Sequence, residues 1–470
     1  MPSVTRLHLA VSYQPELITI KLEQRMTTNL DVQSSSRSPH TAALPPSKSP
    51  ADARRASLAG TVGAIVDWYD FFLYGTAAAT VFAPLFFPSD EPTTGLLVSL
   101  STFAVGFLFR PLGGAVFGHF GDKMGRRTML MLTVLIMGLA SALIGALPTY
   151  ETAGIWAPIM LVALRAIQGF AVGGEWGGAA LMAVESAPKE RRNFLSAGVQ
   201  TGSFIGLLIG TAVFFLCKKL TTPEQFLEWG WRIPFLLSIS LALFALWIRR
   251  SVPESEKFQE VKEHQTEVAA PLSIVLKTRP LQVLAVIGMR LLDQSTYYLA
   301  FTFSLAYVTN YTTASPDSVM VASMISMTLA MITLPTFAKL ADHFGIRWFY
   351  IIASIVGAIT AIPFFHALQT GSIPLIALGF FFLINICHNM ATAVQPVWFS
   401  GLFDTKVRYS GAGFGYALAG ATGGFMPLIA TLLINHANGS YLPVALLLGG
   451  LCLAGGLTSL WSYRWVNLHD

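Results

Sequence analysis

The chain has 470 residues, of which 53% are hydrophobic and only 12% are charged, and its formal net charge is +5. Because an ordinary soluble domain is about one-quarter charged, this composition excludes a soluble fold and indicates a polytopic membrane protein. The basic excess lies in loops between apolar segments, which argues against nucleic-acid binding. Cys217, Cys387 and Cys452 all lie inside apolar segments. We therefore predict neither a disulfide framework nor a metal site, and we expect no cofactor.

Two kinds of sequence follow one another along the chain. Residues 1–53 are rich in Ser, Pro and charge and predict a disordered cytoplasmic tail. The apolar patch at 16–20 is too short for the core of a signal peptide, so no cleavable leader is expected. About twelve apolar segments of membrane-spanning length follow. The predicted spans, each bounded to within about four residues, are 58–82, 94–119, 128–148, 154–184, 195–217, 230–250, 281–306, 318–341, 348–368, 373–399, 410–436 and 441–464.

These spans predict an all-α membrane protein built from two six-helix halves. The first half is assigned to 54–250, the second to 281–465, a polar cytoplasmic linker to 251–280, and a short cytoplasmic C-terminus to 466–470. Basic residues occupy every second loop, and only Lys218 and Lys219 break that alternation. Because basic loops stay on the cytoplasmic side, both termini are expected in the cytoplasm.

Two carboxylates near the middle of the first span need an explanation. Asp67 and Asp70 lie on one helical stripe with Tyr74, although each charge costs about 2.5–3.5 kcal/mol on insertion scales. Arg165 lies near the midplane in the fourth span, and we expect it to face Asp70. Burial favours a neutral carboxyl group whereas a nearby guanidinium favours the carboxylate, so relative movement would switch proton affinity. A static ion pair is the alternative, and either aspartate could carry the proton.

A loop motif occurs twice. "GHFGDKMGRR" follows the second span and "AKLADHFGIR" follows the eighth, which indicates repeated halves with a site at their interface. Opposite charges at the ends of neighbouring helices predict a cytoplasmic gate, with Asp404 as a further candidate; topology-setting basic loops are the alternative. The predicted gate residues are Asp122, Arg126, Arg127, Glu185, Arg192, Asp342, Arg347 and Arg408.

Polar stripes in the second half predict a substrate site. The seventh span carries Arg290, Asp293, Gln294 and Tyr297 on one face, and the planar guanidinium matches a carboxylate. The tenth span carries Asn385, His388 and Asn389, although a lone His is also common as a hydrogen-bonded core residue. The single polar or aromatic candidates are Gln168, Gln200, Tyr298, Gln395, Trp398 and Tyr416.

A glycine-rich segment in the fourth span is interpreted as a packing surface. "AVGGEWGGAA" lies within a span and lacks the ending of a phosphate loop. Its Glu175 has no explanation beyond a pairing with Arg110 of the second span.

Several motifs resemble one transporter family. The spacing in "GHFGDKMGRR" resembles the loop signature of the major facilitator superfamily. "DWYDF", "FLFRPLGG", "LRAIQGFAVGGEWGGAA" and "VRYSGAGFGY" resemble its metabolite:proton symporter branch, most of all the shikimate permeases. Gly401 and Asp404 depart from the branch pattern of Glu and Pro. An Asp in helix 1 with an Arg in helix 4 also resembles the sugar porters.

The resemblance implies a monomeric, non-enzymatic symporter in the bacterial inner membrane that works by alternating access. Its expected partners are protons, the lipid bilayer and a small hydroxylated organic acid, shikimate or a close relative. A dicarboxylate or a zwitterion such as betaine or proline is the alternative substrate. A membrane sensor or an intramembrane enzyme is the alternative class, although the sequence offers no nucleophile and base pair for catalysis.

Overall fold

The computed structural model describes the backbone of residues 50–90, 92–124, 126–173, 184, 189–250, 271–404 and 408–466. Regular structure within these ranges is helical throughout. Residues 251–270 of the predicted linker, the predicted tail up to residue 49 and the C-terminus from residue 467 lie outside the described residues. The rest of the linker includes a short helix, Pro271–Thr278.

Long helices account for each predicted span. In the first half they are α1 (Pro50–Thr80), α2 (Pro92–Met124), α3 (Arg126–Ala146), α4 (Trp156–Val172), α5 (Arg192–Leu220) and α6, which runs from Pro223–Gln225 through the π-helical turn Phe226–Gly230 into Arg232–Arg250. In the second half they are α7 (Pro280–Tyr298, Leu299–Phe303 and Ser304–Tyr311), α8 (Pro316–Phe344), α9 (Ile346–Thr370), α10 (Ile373–Phe380, Phe381–His388 and Asn389–Gly401), α11 (Arg408–His436) and α12 (Leu442–Ser462). The prediction of six helices in each half is confirmed.

Eight of these helices are long and apolar enough to cross a membrane, judged on the described residues alone. Helices α3 and α4 are apolar but shorter in their described parts. Helices α1 and α7 fall outside both groups, and they carry the buried charges of Asp67, Asp70, Arg290 and Asp293. The two helices that are poorest as simple spans are therefore the two that carry predicted site residues, as expected where polar groups serve a function.

Close helix crossings depend on small residues. A Cβ atom on Gly169 of α4 would lie 1.8 Å from the carbonyl oxygen of Gly106 on α2. A Cβ on Gly206 of α5 would lie 2.2 Å from the carbonyl oxygen of Ile65 on α1. Any side chain at either glycine would push the helices apart, so these contacts explain much of the glycine content of the spans.

Several helix pairs join the halves to each other. Helix α5 packs along α8 and α2 along α11, and α5 also contacts α10 and α1 contacts α7. In the second half, α7 also packs against α11 and α12. Wider π-helical turns interrupt α7 at Leu299–Phe303 and α10 at Phe381–His388. Such turns are frequent at functional sites, and both lie next to the cavity described below.

Candidate functional site

A small cavity lies between the two halves. Side chains from α1, α5, α7, α10 and α11 form its wall: Trp68, Gln200, Ser203, Phe204, Arg290, Asp293, Gln294, Tyr297, His388, Thr392 and Tyr416. It has room for about one water molecule. A metabolite would fit only after the halves separate, so binding at this site requires a change in the contacts between them.

The charged part of the wall is an ion pair within α7. Arg290 Nη2 donates to Asp293 Oδ2 at 3.1 Å, and both side chains are almost fully buried. Gln395 Nε2 donates to the other carboxylate oxygen at 2.8 Å. The Arg290 guanidinium also lies 3.2 Å from the centre of the Tyr416 ring. Asp293 and Tyr416 therefore hold Arg290 in one orientation at the edge of the cavity.

Aromatic rings form another part of the wall. The Tyr297 ring lies 5.1 Å from that of Trp68 and 5.3 Å from that of His388, and Phe204 lies 5.8 Å from His388. The Tyr297 hydroxyl is buried and has no hydrogen-bond partner among the residues that the structure describes. A ligand that supplies an acceptor would satisfy it, since an unpaired buried hydroxyl is costly.

The predicted stripe on α10 divides between two environments. His388 lines the cavity. Asn385 instead exchanges hydrogen bonds with Ser326 of α8, at 2.8 Å to its hydroxyl and 2.9 Å to its carbonyl. Asn389 Nδ2 donates to Thr333 Oγ1 of α8 at 2.8 Å. The two amides thus attach α10 to α8.

The remaining single candidates also divide. Gln200 and Tyr416 line the cavity. Trp398 is fully buried elsewhere and donates to Ser462 Oγ of α12 at 3.2 Å. The Tyr298 ring packs 5.4 Å from Phe107 of α2.

The predicted site residues do not include every lining residue. Trp68, Ser203, Phe204 and Thr392 were absent from the predicted set. Ser203 and Thr392 follow Gln200 and His388 at helical spacings of three and four residues, which is the signal that could have identified them.

Asp70 lies apart from the cavity lining, among hydroxyl groups. Ser238 Oγ of α6 donates to Asp70 Oδ1, and Ser141 of α3 lies beside the same carboxylate. Arg165 does not contact it: in the described part of the chain no ion pair joins the two. Arg165 Nη1 donates instead to Gln168 Oε1 at 3.2 Å, and Gln168 Nε2 donates to Ser141 Oγ at 2.6 Å. The two groups are nevertheless close enough to interact electrostatically, and a chain of hydrogen-bonding side chains, Gln168 and Ser141, links them.

The guanidinium of Arg165 packs against aromatic rings. It lies 4.3 Å from the centre of the Tyr74 ring and 4.7 Å from that of Phe71. Arg110 stacks on the same Phe71 ring at 4.6 Å, and it is close enough to Asp67 to interact electrostatically. Cation–π contacts of this kind compensate part of the cost of burying a cation. Glu175, the predicted partner of Arg110, lies outside the described residues.

The predicted gate is described only in part. Asp342 of α8 accepts from the backbone N–H of Asn193 at 3.0 Å, from Asn193 Nδ2 at 2.8 Å and from the backbone N–H of Phe194 at 3.1 Å. It therefore caps the first turn of α5 in the other half, next to Arg192, where a carboxylate is favourable.

The other gate residues have different surroundings. Arg347 stacks on Tyr463 at 5.2 Å, and Asp404 pairs with Arg279 at 2.8 Å. The side chains of Asp122, Arg126, Arg127 and Arg408 lie outside the described residues, as does Glu185.

The two lysines that broke the alternation of basic loops are explained by a contact between the halves. Lys218 Nζ and Lys219 Nζ, at the end of α5, each lie 2.7 Å from one oxygen of Asp317 in the first turn of α8. We call these three residues the α5–α8 latch. Together with Asp342 it ties α5 to α8 at both ends, which agrees with the small size of the cavity.

A site enclosed between two six-helix halves defines a membrane transporter. Two family descriptions match the chain: "Sugar (and other) transporter" over residues 56–274 and "Major Facilitator Superfamily" over 285–468. The chain is 48% identical over 411 residues to the shikimate transporter of Escherichia coli K12, covering 87% of this chain and 94% of that one. It belongs to the major facilitator superfamily.

Two further comparisons agree. The proline/betaine transporter of Escherichia coli K12 is 32% identical over 402 residues, covering 83% of this chain and 79% of that one. The xylose transporter XylE from E. coli, in a partially occluded inward-open conformation, superimposes with a TM-score of 0.69 at 17% identity, covering 89% of this chain and 98% of that one. The predicted family and fold are confirmed.

Proposed function

We propose that this protein carries a small hydroxylated organic acid, shikimate or a close relative, together with protons, by alternating access. The observation that carries the proposal is the chemistry of the cavity wall, where one guanidinium, Arg290, oriented by its ion pair with Asp293, is the only cationic group among the described lining residues and lies near neutral amide and hydroxyl groups. One guanidinium suits one carboxylate, and the neutral groups suit several hydroxyls. The similarity to a shikimate transporter supports the same substrate.

Asp70 is proposed as the proton carrier, with Asp67 as the alternative. Asp70 is completely buried, and its contact with Ser238 can be kept in either protonation state because a hydroxyl both donates and accepts. Arg165 interacts with Asp70 electrostatically and is linked to it by a chain of hydrogen-bonding side chains, Gln168 and Ser141. Rearrangement of that chain when the halves move would change the charge environment of Asp70 and hence its proton affinity.

For the gate, we propose that the Asp342 cap and its counterpart around Asp122 close the cytoplasmic end. The basic loops at that end support an orientation with both termini in the cytoplasm. The latch then lies at the periplasmic end.

A zwitterion with a quaternary ammonium is the second candidate substrate. The specific observation in its favour is the set of rings at the cavity, Trp68, Phe204 and Tyr297, because aromatic rings bind such cations. Asp293, beside Arg290, also places both signs of charge at one edge of the cavity.

Uptake by liposomes that contain only this protein distinguishes these substrates. With an inward proton gradient, we expect labelled shikimate to accumulate unaltered and a protonophore to abolish accumulation. Unlabelled quinate and dehydroshikimate should compete, and glycine betaine should not. Competition by betaine alone would favour the second candidate, accumulation without any gradient would refute proton symport, and chemical conversion of the label would refute a purely transporting role.

A further inference from the structure

Trp68 occupies a position in the cavity that neither the proton site nor the carboxylate site explains. It lies between Asp67 and Tyr69 on α1 and is only partly buried, whereas Trp398 and Trp231 are completely buried. Part of its indole surface therefore borders the cavity.

Two aromatic neighbours hold the Trp68 ring. Its centroid lies 5.1 Å from that of Tyr297 on α7, at an interplanar angle of 70°, and 5.9 Å from that of Phe71, at 73°. Both are edge contacts of the favourable kind. Because Tyr297 belongs to the other half, the indole is held between the halves, in the same wall as Arg290.

We infer that Trp68 is a specificity-determining residue whose indole packs against the carbon ring of a cyclic substrate while Arg290 binds its carboxylate. The inference rests on the proposed function, since it assumes a cyclic hydroxylated acid. A hydroxylated six-membered carbocycle still carries C–H surface. A rigid indole contacts that surface with little loss of conformational freedom, and such contacts contribute beyond the polar groups that orient the ligand.

The contact would increase affinity for cyclic acids and would also discriminate between cyclic and acyclic acids. An acyclic hydroxy acid such as glycerate can bind Arg290 through its carboxylate but has no ring to cover the indole. Trp68 therefore favours cyclic acids over acyclic ones of the same charge, whereas a residue that only packs α1 against α7 would affect both kinds of acid equally.

Intrinsic fluorescence tests the placement of the ring. We expect shikimate to change the tryptophan emission of the purified wild-type protein and of a Trp247→Phe control, whose indole is 67% exposed on the outside of α6. Trp68→Phe keeps an aromatic ring against Tyr297 and Phe71, so it should fold, but the emission change should disappear. A shikimate-dependent change of undiminished size in Trp68→Phe would overturn the inference.

Transport kinetics test the selectivity. In Trp68→Ala we expect the KM for shikimate to rise about tenfold, with kcat little changed and the KM for glycerate altered less than about twofold. Trp68→Phe should lie between wild type and Trp68→Ala for shikimate. An equal rise for both acids would assign Trp68 a purely structural role and refute the inference.

The two proposals fail in different ways. A wild-type protein that neither binds nor carries shikimate or quinate refutes the proposed substrate, and the inferred ring contact falls with it. A wild type that carries shikimate, together with an unchanged ratio of KM values in Trp68→Ala, refutes the role of Trp68 alone.

Discussion

Neutralising Asp317 should open the cavity from the end of the molecule that carries the latch. Asp317→Asn removes the acceptor charge for Lys218 and Lys219 at once, because each lysine contacts one of its two carboxylate oxygens. The variant keeps the size of the side chain. Since α5 and α8 belong to different halves, loss of these ion pairs destabilises only the conformations in which the two helix ends are in contact.

The size of the effect follows from exposure. The side chains of Lys218, Lys219 and Asp317 are 35%, 52% and 25% exposed, so each pair is screened by water and contributes about 0.2–1 kcal/mol. Two pairs give about 0.4–2 kcal/mol. The ratio of open to closed states at this end should therefore rise by roughly two- to thirtyfold.

Accessibility of the cavity measures that ratio. Ser203→Cys places a thiol in the cavity wall, and Cys217 is replaced by Ala because it is adjacent to the latch. A membrane-impermeant maleimide added from outside to right-side-out vesicles should label this thiol faster when Asp317→Asn is present. Glu224→Gln is the matched control, because it removes one negative charge from the same end of the molecule, at the start of α6, without touching the latch.

Salt provides the decisive comparison. Screening weakens exposed ion pairs, so concentrated salt should raise the labelling rate of the protein with an intact latch towards that of Asp317→Asn, which should itself respond little. The reasoning is refuted if Asp317→Asn and Glu224→Gln label at the same rate, or if salt accelerates both variants equally.

Other substitutions test the site and the opposite end. Arg290→Lys keeps the charge but loses the planar fork and its stacking on Tyr416, so shikimate affinity, measured by calorimetry, should fall by about tenfold or more; unchanged affinity would place the carboxylate elsewhere. Asp70→Asn should retain counterflow exchange in liposomes but lose accumulation, whereas Asp67→Asn should be milder; accumulation by a folded Asp70→Asn protein would exclude this carboxyl group as the proton carrier. Asp342→Asn removes the negative charge from the first turn of α5, so it should weaken this contact by about 0.3–1 kcal/mol and speed labelling of the same cavity thiol in inverted vesicles, and an unchanged rate would contradict a gating role.

Span number and the position of the polar stripes were predictable from the sequence, since both depend on local rules. A helix needs about twenty apolar residues to cross a bilayer, and side chains three or four residues apart share a face. The stripe Arg290, Asp293, Gln294 and Tyr297 accordingly lies together on the cavity wall. The buried charges of α1 and α7 were also predictable, because charged residues inside an apolar segment are costly and therefore stand out in the sequence.

The tertiary structure decided which neighbour each polar group meets. A helical repeat gives a face but not the rotation of that face about the helix axis, which depends on the packing of adjacent helices. The rotation of α10 about its axis places His388 in the cavity wall and places Asn385 in hydrogen-bonding contact with Ser326 of α8. Helix packing also places aromatic rings around Arg165, so its hydrogen bonds reach Asp70 through Gln168 and Ser141 and no ion pair within the described residues joins the two directly.

Contacts between segments that are distant in the chain could not be predicted from the sequence either. Lys218 and Lys219 lie at a loop position that the alternation of basic loops predicts to be poor in basic residues. Asp317 lies 99 and 98 residues further along the chain, and only the packing of α5 on α8 brings it into contact with them. Trp68 looks like one more apolar residue of a span, and only the assembled wall gives its indole a free surface. Sequence periodicity therefore determines which side chains share a face of each helix. The packing of the two halves determines which of those side chains the substrate, the proton and the opposite half can contact.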